Sequence, residues 1–286
     1  MFGKYPLLVT TIVFGLAAAA FIFILVTSEP GKRTSKAVAT SVVVIAFVSY
    51  VLMWRGYGIE MVGERPFYYA RYFDWALTTP LLILDLGLVS GTPLREMLYP
   101  IGFDVLMIAA GYLAGYQEEG ARWYLFALGC FFMLPVAHAL MTTFQDFAEE
   151  STRKSVDADV KEQSKLLCTM LLVLWSLYPV VWVASEGLMV MSVYWEVISY
   201  AWLDFISKAV FGFIVLTVDA DVKEQSKLLC TMLLVLWSLY PVVWVASEGL
   251  MVMSVYWEVI SYAWLDFISK AVFGFIVLSG SSADTL

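Results

Sequence analysis

The chain has 286 residues, of which 61% are hydrophobic and only 15% are charged, and its formal net charge is −8. This composition is too apolar for an ordinary soluble domain, so it indicates an integral membrane protein. No basic stripe of the kind that binds nucleic acid is present, and the three cysteines lie in apolar stretches without the spacing of a metal site.

Apolar runs of about 20 residues, long enough to cross a bilayer as helices, recur along the chain. The first is interpreted as a retained transmembrane helix, because it is too long for the apolar region of a signal peptide. The predicted fold is an all-α membrane protein, a seven-helix bundle with an extra two-helix hairpin, nine transmembrane helices in all. The runs cover residues 6–27, 37–57, 67–89, 98–115, 123–143, 166–184, 190–216, 228–246 and 252–278.

The last two runs repeat the preceding pair. Residues 156–216 occur again, letter for letter, at 218–278. Solenoid repeats number three or more and diverge in sequence, so this single perfect copy is not one. Recent duplication, an assembly error or engineering would each produce it. We therefore predict a seven-helix domain at 1–216, a duplicate of helices six and seven at 217–278, and a C-terminal tail at 279–286.

The distribution of lysine and arginine predicts the orientation in the membrane. Positive residues concentrate on the cytoplasmic side of membrane proteins, and here they are most abundant in the loops after the first and fifth helices. The N-terminus is therefore expected outside and the C-terminus in the cytoplasm. These loops contain Lys32, Arg33, Lys36, Arg153, Lys154, Lys161 and Lys165, against Lys4, Arg65 and Arg122 on the opposite side.

The third predicted helix carries an unusual set of polar residues. Arg71, Asp74 and Thr78 are spaced three and four apart, so they share one helical face. Asp85 follows eleven residues after Asp74, on the same stripe and roughly 16 Å further along the axis. Carboxyl groups inside a bilayer cost at least ~2.5 kcal/mol each, so they indicate function. A purely structural polar network between helices is the alternative.

The seventh run adds an amine. Asp204 and Lys208 are one helical turn apart. Desolvation favours the neutral form of a lysine in the membrane, and a neutral amine condenses with an aldehyde to form a Schiff base. The protonated product would need carboxylate counterions, which Asp204 and Asp74 can supply, while Arg71 balances the excess negative charge.

Aromatic residues of the sixth run form a wall that could enclose a long apolar cofactor. Trp175, Tyr178 and Trp182 share a face, and Pro179 is expected to kink the helix beside them. Such a stripe is more often plain packing, but a lysine on the facing helix favours a cofactor.

Together, the Arg71–Tyr72–x–Asp74–Trp75 and Thr78–Thr79–Pro80 motifs, Asp85, the WSLYPVVW stretch and Asp204–x3–Lys208 resemble the microbial (type 1) rhodopsins, and bacteriorhodopsin-like proton pumps most closely. The resemblance implies all-trans retinal bound to Lys208 as a protonated Schiff base. It implies that Asp74 is proton acceptor and counterion, Asp204 the second counterion and Asp85 the proton donor, with Thr78 hydrogen-bonded to Asp74. The implied pocket comprises Tyr50, Trp75, Leu82, Met107, Gly111, Phe126, Gly129, Met133, Trp175, Tyr178 and Trp182, with Asp104 also at a family pocket position.

The residues themselves support a direction of transport. Asp74 lies in the outer half of its helix, while apolar neighbours near the cytoplasmic end favour a protonated Asp85 at rest. Glu186 and Glu196 flank the outer connection between the last two helices and match the proton-release pair of the family, two acids that titrate as a unit. Ordinary solvated loop acids are the alternative.

The function expected is therefore an outward light-driven proton pump rather than an enzyme. A light-gated cation channel and a sensory photoreceptor of the same family are the alternatives. The expected partners are the lipid bilayer, protons and other copies of the chain in a homo-oligomer, and no metal is expected. Lys270 with Asp266 duplicates Lys208 with Asp204, and because one hairpin alone can close the bundle, we predict that the first copy does so. His138 is expected to be a packing or interface residue, and residues 145–159 a solvated loop.

Overall fold

A computed structural model describes residues 3–30, 33–117, 120–155 and 159–218, together with the isolated positions 243, 261 and 265. The chain divides after residue 218 into two units, and the structural description concerns the first. The predicted helices at 228–246 and 252–278 and the tail at 279–286 lie outside the described residues.

Long helices account for most of the first unit. Seven described segments are long and apolar enough to cross a membrane, as the runs predicted, the sixth at Gln163–Gly187 and the seventh at Val193–Leu216. Two of them contain wider, π-helical turns, at Val183–Gly187 and Phe205–Val210. The α-helices are α1 Lys4–Thr27, α2 Arg33–Arg55, α3 Ala70–Ser90, α4 Leu94–Tyr116, α5 Ala121–Met141, α6 Thr143–Ser155, α7 Asp159–Trp182, α8 Val193–Asp204 and α9 Phe211–Val218.

A short β-hairpin connects α2 to α3, an element that the sequence did not predict. Strands β1 (Glu60–Val62) and β2 (Arg65–Phe67) pair antiparallel, with Val62 opposite Arg65. Each strand is only three residues long, well short of the ~10 residues of a membrane-spanning strand. The hairpin therefore belongs to a connection between membrane helices.

The prediction of a solvated loop at residues 145–159 is wrong for most of its length. Residues up to Ser155 belong to helix α6, which buries Phe144 and Ala148 completely. These two apolar residues are four apart, so they lie on one face of the helix. The polar and charged residues around them, such as Asp146, Glu149 and Glu150, conceal this narrow apolar stripe.

The buried core holds α3 and α7 together. Leu82, Ile83 and Leu86 of α3 pack in one cluster with Leu171 and Trp175 of α7. Leucines three and four residues apart supply the apolar face that each helix needs for this packing. The contact brings the polar stripe of α3 into the bundle interior, where Arg71, Asp74, Thr78 and Asp85 are all buried.

Candidate functional site

The amine of Lys208 lies between two carboxylates, as the sequence predicted. Its Nζ donates a hydrogen bond to Oδ2 of Asp74 and is 3.1 Å from Oδ1 of Asp204. Lys208 and Asp74 are each 1% exposed, and Asp204 is fully buried. Lys208 belongs to the π-helical turn that follows α8. Three charged groups thus form a closed cluster in the interior of the bundle.

Asp204 is held by three further donors from three helices. The Tyr50 hydroxyl donates to Oδ2 at 2.7 Å, and Trp75 Nε1 and the Tyr178 hydroxyl donate to Oδ1 at 3.0 and 2.9 Å. Hydrogen bonds to a carboxylate stabilise its charged form. Tyr50 reaches the site through Asp204, and its ring stacks on Phe14 at 5.3 Å; its role in the cofactor pocket stays a prediction.

Asp74 is less constrained than Asp204. The Thr78 hydroxyl donates to the main-chain oxygen of Asp74 at 2.8 Å, so the implied bond to the carboxylate is absent. Threonine in a helix commonly bonds the carbonyl four residues earlier, which explains this choice. Asp74 Oδ1 has no hydrogen-bond partner among the described residues.

Arg71 pairs directly with Glu196 rather than with Asp74. Its Nη1 lies 2.6 Å from Glu196 Oε1, and its guanidinium carbon is 4.6 Å from the centroids of both the Tyr68 and Tyr200 rings. Burial raises the pKa of the Tyr68 phenol, so this ring stays neutral against the cation. The positive charge of Arg71, which was expected to balance Asp74, is therefore paired mainly with Glu196.

Glu186 and Glu196 are buried, so the alternative of solvated loop acids is wrong. They are 8% and 1% exposed respectively. The Tyr72 hydroxyl donates to Glu186 Oε2 at 2.7 Å, and Arg65 Nη2 donates to Glu196 Oε2 at 2.6 Å. The carboxylates and arginines form a second polar cluster.

Asp85 is fully buried towards the other end of α3. It accepts a hydrogen bond from the Ser35 hydroxyl on α2 at 2.8 Å. Sequence reasoning missed Ser35, because nothing in the pattern of α2 separates it from the serines and threonines around it. Asp104 is also fully buried and accepts a bond of 2.6 Å from Thr79.

An apolar cavity extends from Lys208 between the helices. All the predicted pocket residues except Tyr50 and Asp104 line it, including the stacked rings of Phe126 and Trp182, 4.5 Å apart. The sequence analysis did not place several further lining residues in the pocket, because the residue type alone does not show whether a side chain faces a cavity, another helix or lipid. These are Tyr72, Thr79, Ile108, Cys130, Pro179, Tyr200 and Ser207.

His138 is not among the residues that line the described cavity. His138 is exposed and its ring contacts Thr142 on the same helix. Lys270 and Asp266, the alternate copy of the amine and its carboxylate, lie outside the described residues.

Comparison with known proteins identifies the family. The family model described as bacteriorhodopsin-like protein matches residues 3–222 and, separately, 217–283. Bacteriorhodopsin of Halobacterium salinarum is 36% identical over 195 residues, which cover 66% of this chain and 72% of that protein. The second match of the family model falls on the repeated segment.

Solved structures agree on the fold. The light-driven proton pump of Coccomyxa subellipsoidea is 33% identical, with a TM-score of 0.69 over 75% of this chain and 97% of that one. Halorhodopsin, a light-driven chloride pump, is 28% identical, with a TM-score of 0.68 over 74% of this chain and 92% of that one. The chain therefore belongs to the bacteriorhodopsin-like family of microbial rhodopsins, multi-pass membrane proteins that bind retinal as their chromophore.

Proposed function

We propose that the chain is an outward light-driven proton pump with retinal on Lys208. The observation that carries this proposal is the position of Lys208 between Asp74 and Asp204 at a largely apolar cavity. An amine that forms a Schiff base needs a carboxylate beside it both to balance its charge and to take its proton. Asp74 and Asp204 offer both roles.

The cavity fits retinal, a long apolar aldehyde. Its walls are aromatic and apolar, and Lys208 presents the amine. Trp75, Trp175 and Trp182 supply flat surfaces for packing against a polyene. Retinal, when bound as a protonated Schiff base, supplies a light-driven change of shape that alters the proton affinity of the nitrogen on Lys208.

The two carboxylates differ in their ability to take a proton. Asp204 accepts hydrogen bonds from three side chains, which favour its charged form. The described hydrogen bond to the carboxyl group of Asp74 comes from the Lys208 amine itself. We therefore assign Asp74 as the proton acceptor and Asp204 as the permanent counterion.

Asp85 would restore the proton from the opposite side. Asp85 is fully buried, and desolvation favours the neutral form of a carboxyl group. It lies eleven residues from Asp74, roughly 16 Å along a helix. The excess of lysine and arginine in the loops after the first and fifth spans supports a cytoplasmic location for this end, so protons would move outward, from Asp85 to the side of Asp74.

A proton fits this site better than a halide. A halide beside Lys208 would meet the carboxylates of Asp74 and Asp204, and like charges at such short range repel strongly in a desolvated site. Proton transfer, in contrast, requires a carboxylate within hydrogen-bond reach of the amine nitrogen.

Residues 1–216 would form the complete pumping unit. The described pocket is closed by α7, α8 and the π-helical turn that carries Lys208, all from the first copy of the repeat. We therefore propose Lys208, rather than Lys270, as the retinal lysine, and residues 217–278 as a duplicate of the last two helices.

Illumination of unbuffered cells that express the full chain and are supplied with retinal tests the function. We expect the medium to acidify, the change to disappear with a protonophore, and the Asp74→Asn variant to form pigment without acidifying the medium. Currents that reverse with the cation gradient would indicate a channel. Transport that requires chloride would indicate a halide pump, and a coloured photoactive protein without transport would indicate a sensor. Each of these last three results refutes the proposal.

A further inference from the structure

Arg65 links the β-hairpin to the connection between α7 and α8. It is the first residue of β2. Its Nη1 donates to the main-chain oxygen of Met191 at 2.9 Å, and its Nη2 donates to Glu196 Oε2 at 2.6 Å. One guanidinium thus joins two connections that are far apart in the sequence, and it reaches a buried carboxylate as it does so.

Glu196 consequently has two arginines. Arg71 bonds Oε1 and Arg65 bonds Oε2, each at 2.6 Å. Arg71 is 1% exposed, whereas Arg65 is 15% exposed and forms the solvent edge of the cluster. Charge-assisted bonds to both oxygens of one buried carboxylate strongly favour its anionic form.

Glu186 has a different environment. It accepts a bond from the neutral Tyr72 hydroxyl, and Arg122 bonds its main-chain oxygen at 2.9 Å. No ion pair to its carboxyl group is formed within the described part of the chain. A buried carboxyl group without a paired cation, near a second carboxylate that is already charged, is favoured in its neutral form.

We propose that Arg65 is a positioning residue for proton release: by holding Glu196 as an anion, it leaves the releasable proton on Glu186. The part of this inference that concerns proton release rests on the proposed pump function. The location of the proton in the dark does not depend on transport. Arg71 alone would leave Oε2 of Glu196 open to a proton. The hydrogen bond from Arg65 occupies Oε2, so the two glutamates differ in which of them holds the proton.

Infrared spectroscopy of the full-length chain in the dark tests where the proton resides. One carbonyl band of the protonated carboxyl groups, distinct from that of Asp85, should be lost in Glu186→Gln and retained in Glu196→Gln, relative to the unsubstituted chain. In an Arg65→Gln background, Glu196→Gln should also remove part of this band, because the proton is then shared. Loss of the band in Glu196→Gln alone, or identical behaviour in both backgrounds, would overturn the proposal.

Flash-induced proton release, followed with a pH indicator dye on the pigment in lipid, tests the role of Arg65 in the cycle. In Arg65→Gln we expect the early-release fraction to fall roughly tenfold, the effect expected for a lost hydrogen bond to a charged group. Arg65→Lys should restore most of it. Arg55→Gln is the matched control, because Arg55 is exposed on the same side and its described contact is the Trp54 ring.

The two measurements separate the failure of each proposal. If the unsubstituted chain transports no protons, the proposed function fails, while the infrared comparison still decides the asymmetry of the glutamate pair. If the chain pumps and Arg65→Gln forms pigment with unchanged release timing, the role of Arg65 is refuted. A change of equal size in Arg55→Gln would also refute it, because the effect would then be one of general surface charge.

Discussion

Replacing Lys208 with alanine removes the amine that lies between Asp74 and Asp204. We expect Lys208→Ala to abolish pigment formation completely, because no other amine is present among the lining residues of the described cavity. Lys270→Ala, in the second copy of the repeat, should keep full colour. Both variants would be purified, incubated with all-trans retinal and compared by visible absorption.

The same substitution has a calculable effect on the protein without retinal. Lys208 forms ion pairs with two carboxylates that are at most 1% exposed. Breaking a buried pair by removing one partner costs about 3–5 kcal/mol, because a charge is left uncompensated. We therefore expect the free energy of unfolding of Lys208→Ala, measured in mixed detergents by tryptophan fluorescence, to fall by about that amount.

The double variant Lys208→Ala/Asp74→Asn is the control for this magnitude. It removes one of the two unpaired carboxylates, so it should recover a large part of the lost stability. An unchanged free energy of unfolding in Lys208→Ala would refute the buried-charge reasoning. Colour that persists in Lys208→Ala, or that is lost only in Lys270→Ala, would refute the assignment of the retinal lysine.

Three further substitutions test the other parts of the site. Asp74→Asn should retain pigment and lose light-driven acidification of vesicle suspensions; acidification at the normal rate would exclude Asp74 as acceptor. Asp85→Asn should slow photocycle turnover more than Ser35→Ala, for which the loss of one hydrogen bond predicts a decrease of roughly two- to tenfold; flash photolysis measures both, and the reverse order would contradict the donor assignment. Trp182→Ala removes the ring stacked on Phe126 at 4.5 Å and should destabilise the protein by about 3–5 kcal/mol, measured as faster thermal bleaching; bleaching at the original rate would show that this stack carries little of the packing energy.

Much of the architecture could be read from the sequence. The seven spans are confirmed, because a run of about 20 apolar residues has few alternatives to a membrane helix. The four-residue spacing of Asp204 and Lys208 also predicted their contact, found at 3.1 Å, since side chains one turn apart on a helix are neighbours. The family assignment and its retinal chromophore are confirmed for the same reason: local motifs carry them.

The errors and omissions share a different cause. Tyr50 binds Asp204 across 154 positions of sequence, and Arg71 reaches Glu196 across 125. Helix α6 was missed because its apolar stripe is only two residues among many charges. The β-hairpin was missed because its three-residue strands leave no detectable periodicity.

The sequence by itself determined the membrane helices, the faces that carry carboxyl groups and the lysine that suits an aldehyde, because helical periodicity places residues of one segment relative to each other. Only the tertiary structure decided that Arg71 and Arg65 converge on Glu196, that three further donors hold Asp204 and that Asp74 contacts the Lys208 amine directly. The partner of a buried charge depends on how separate helices pack and on which polar group each one presents there, and no single-helix pattern contains that information.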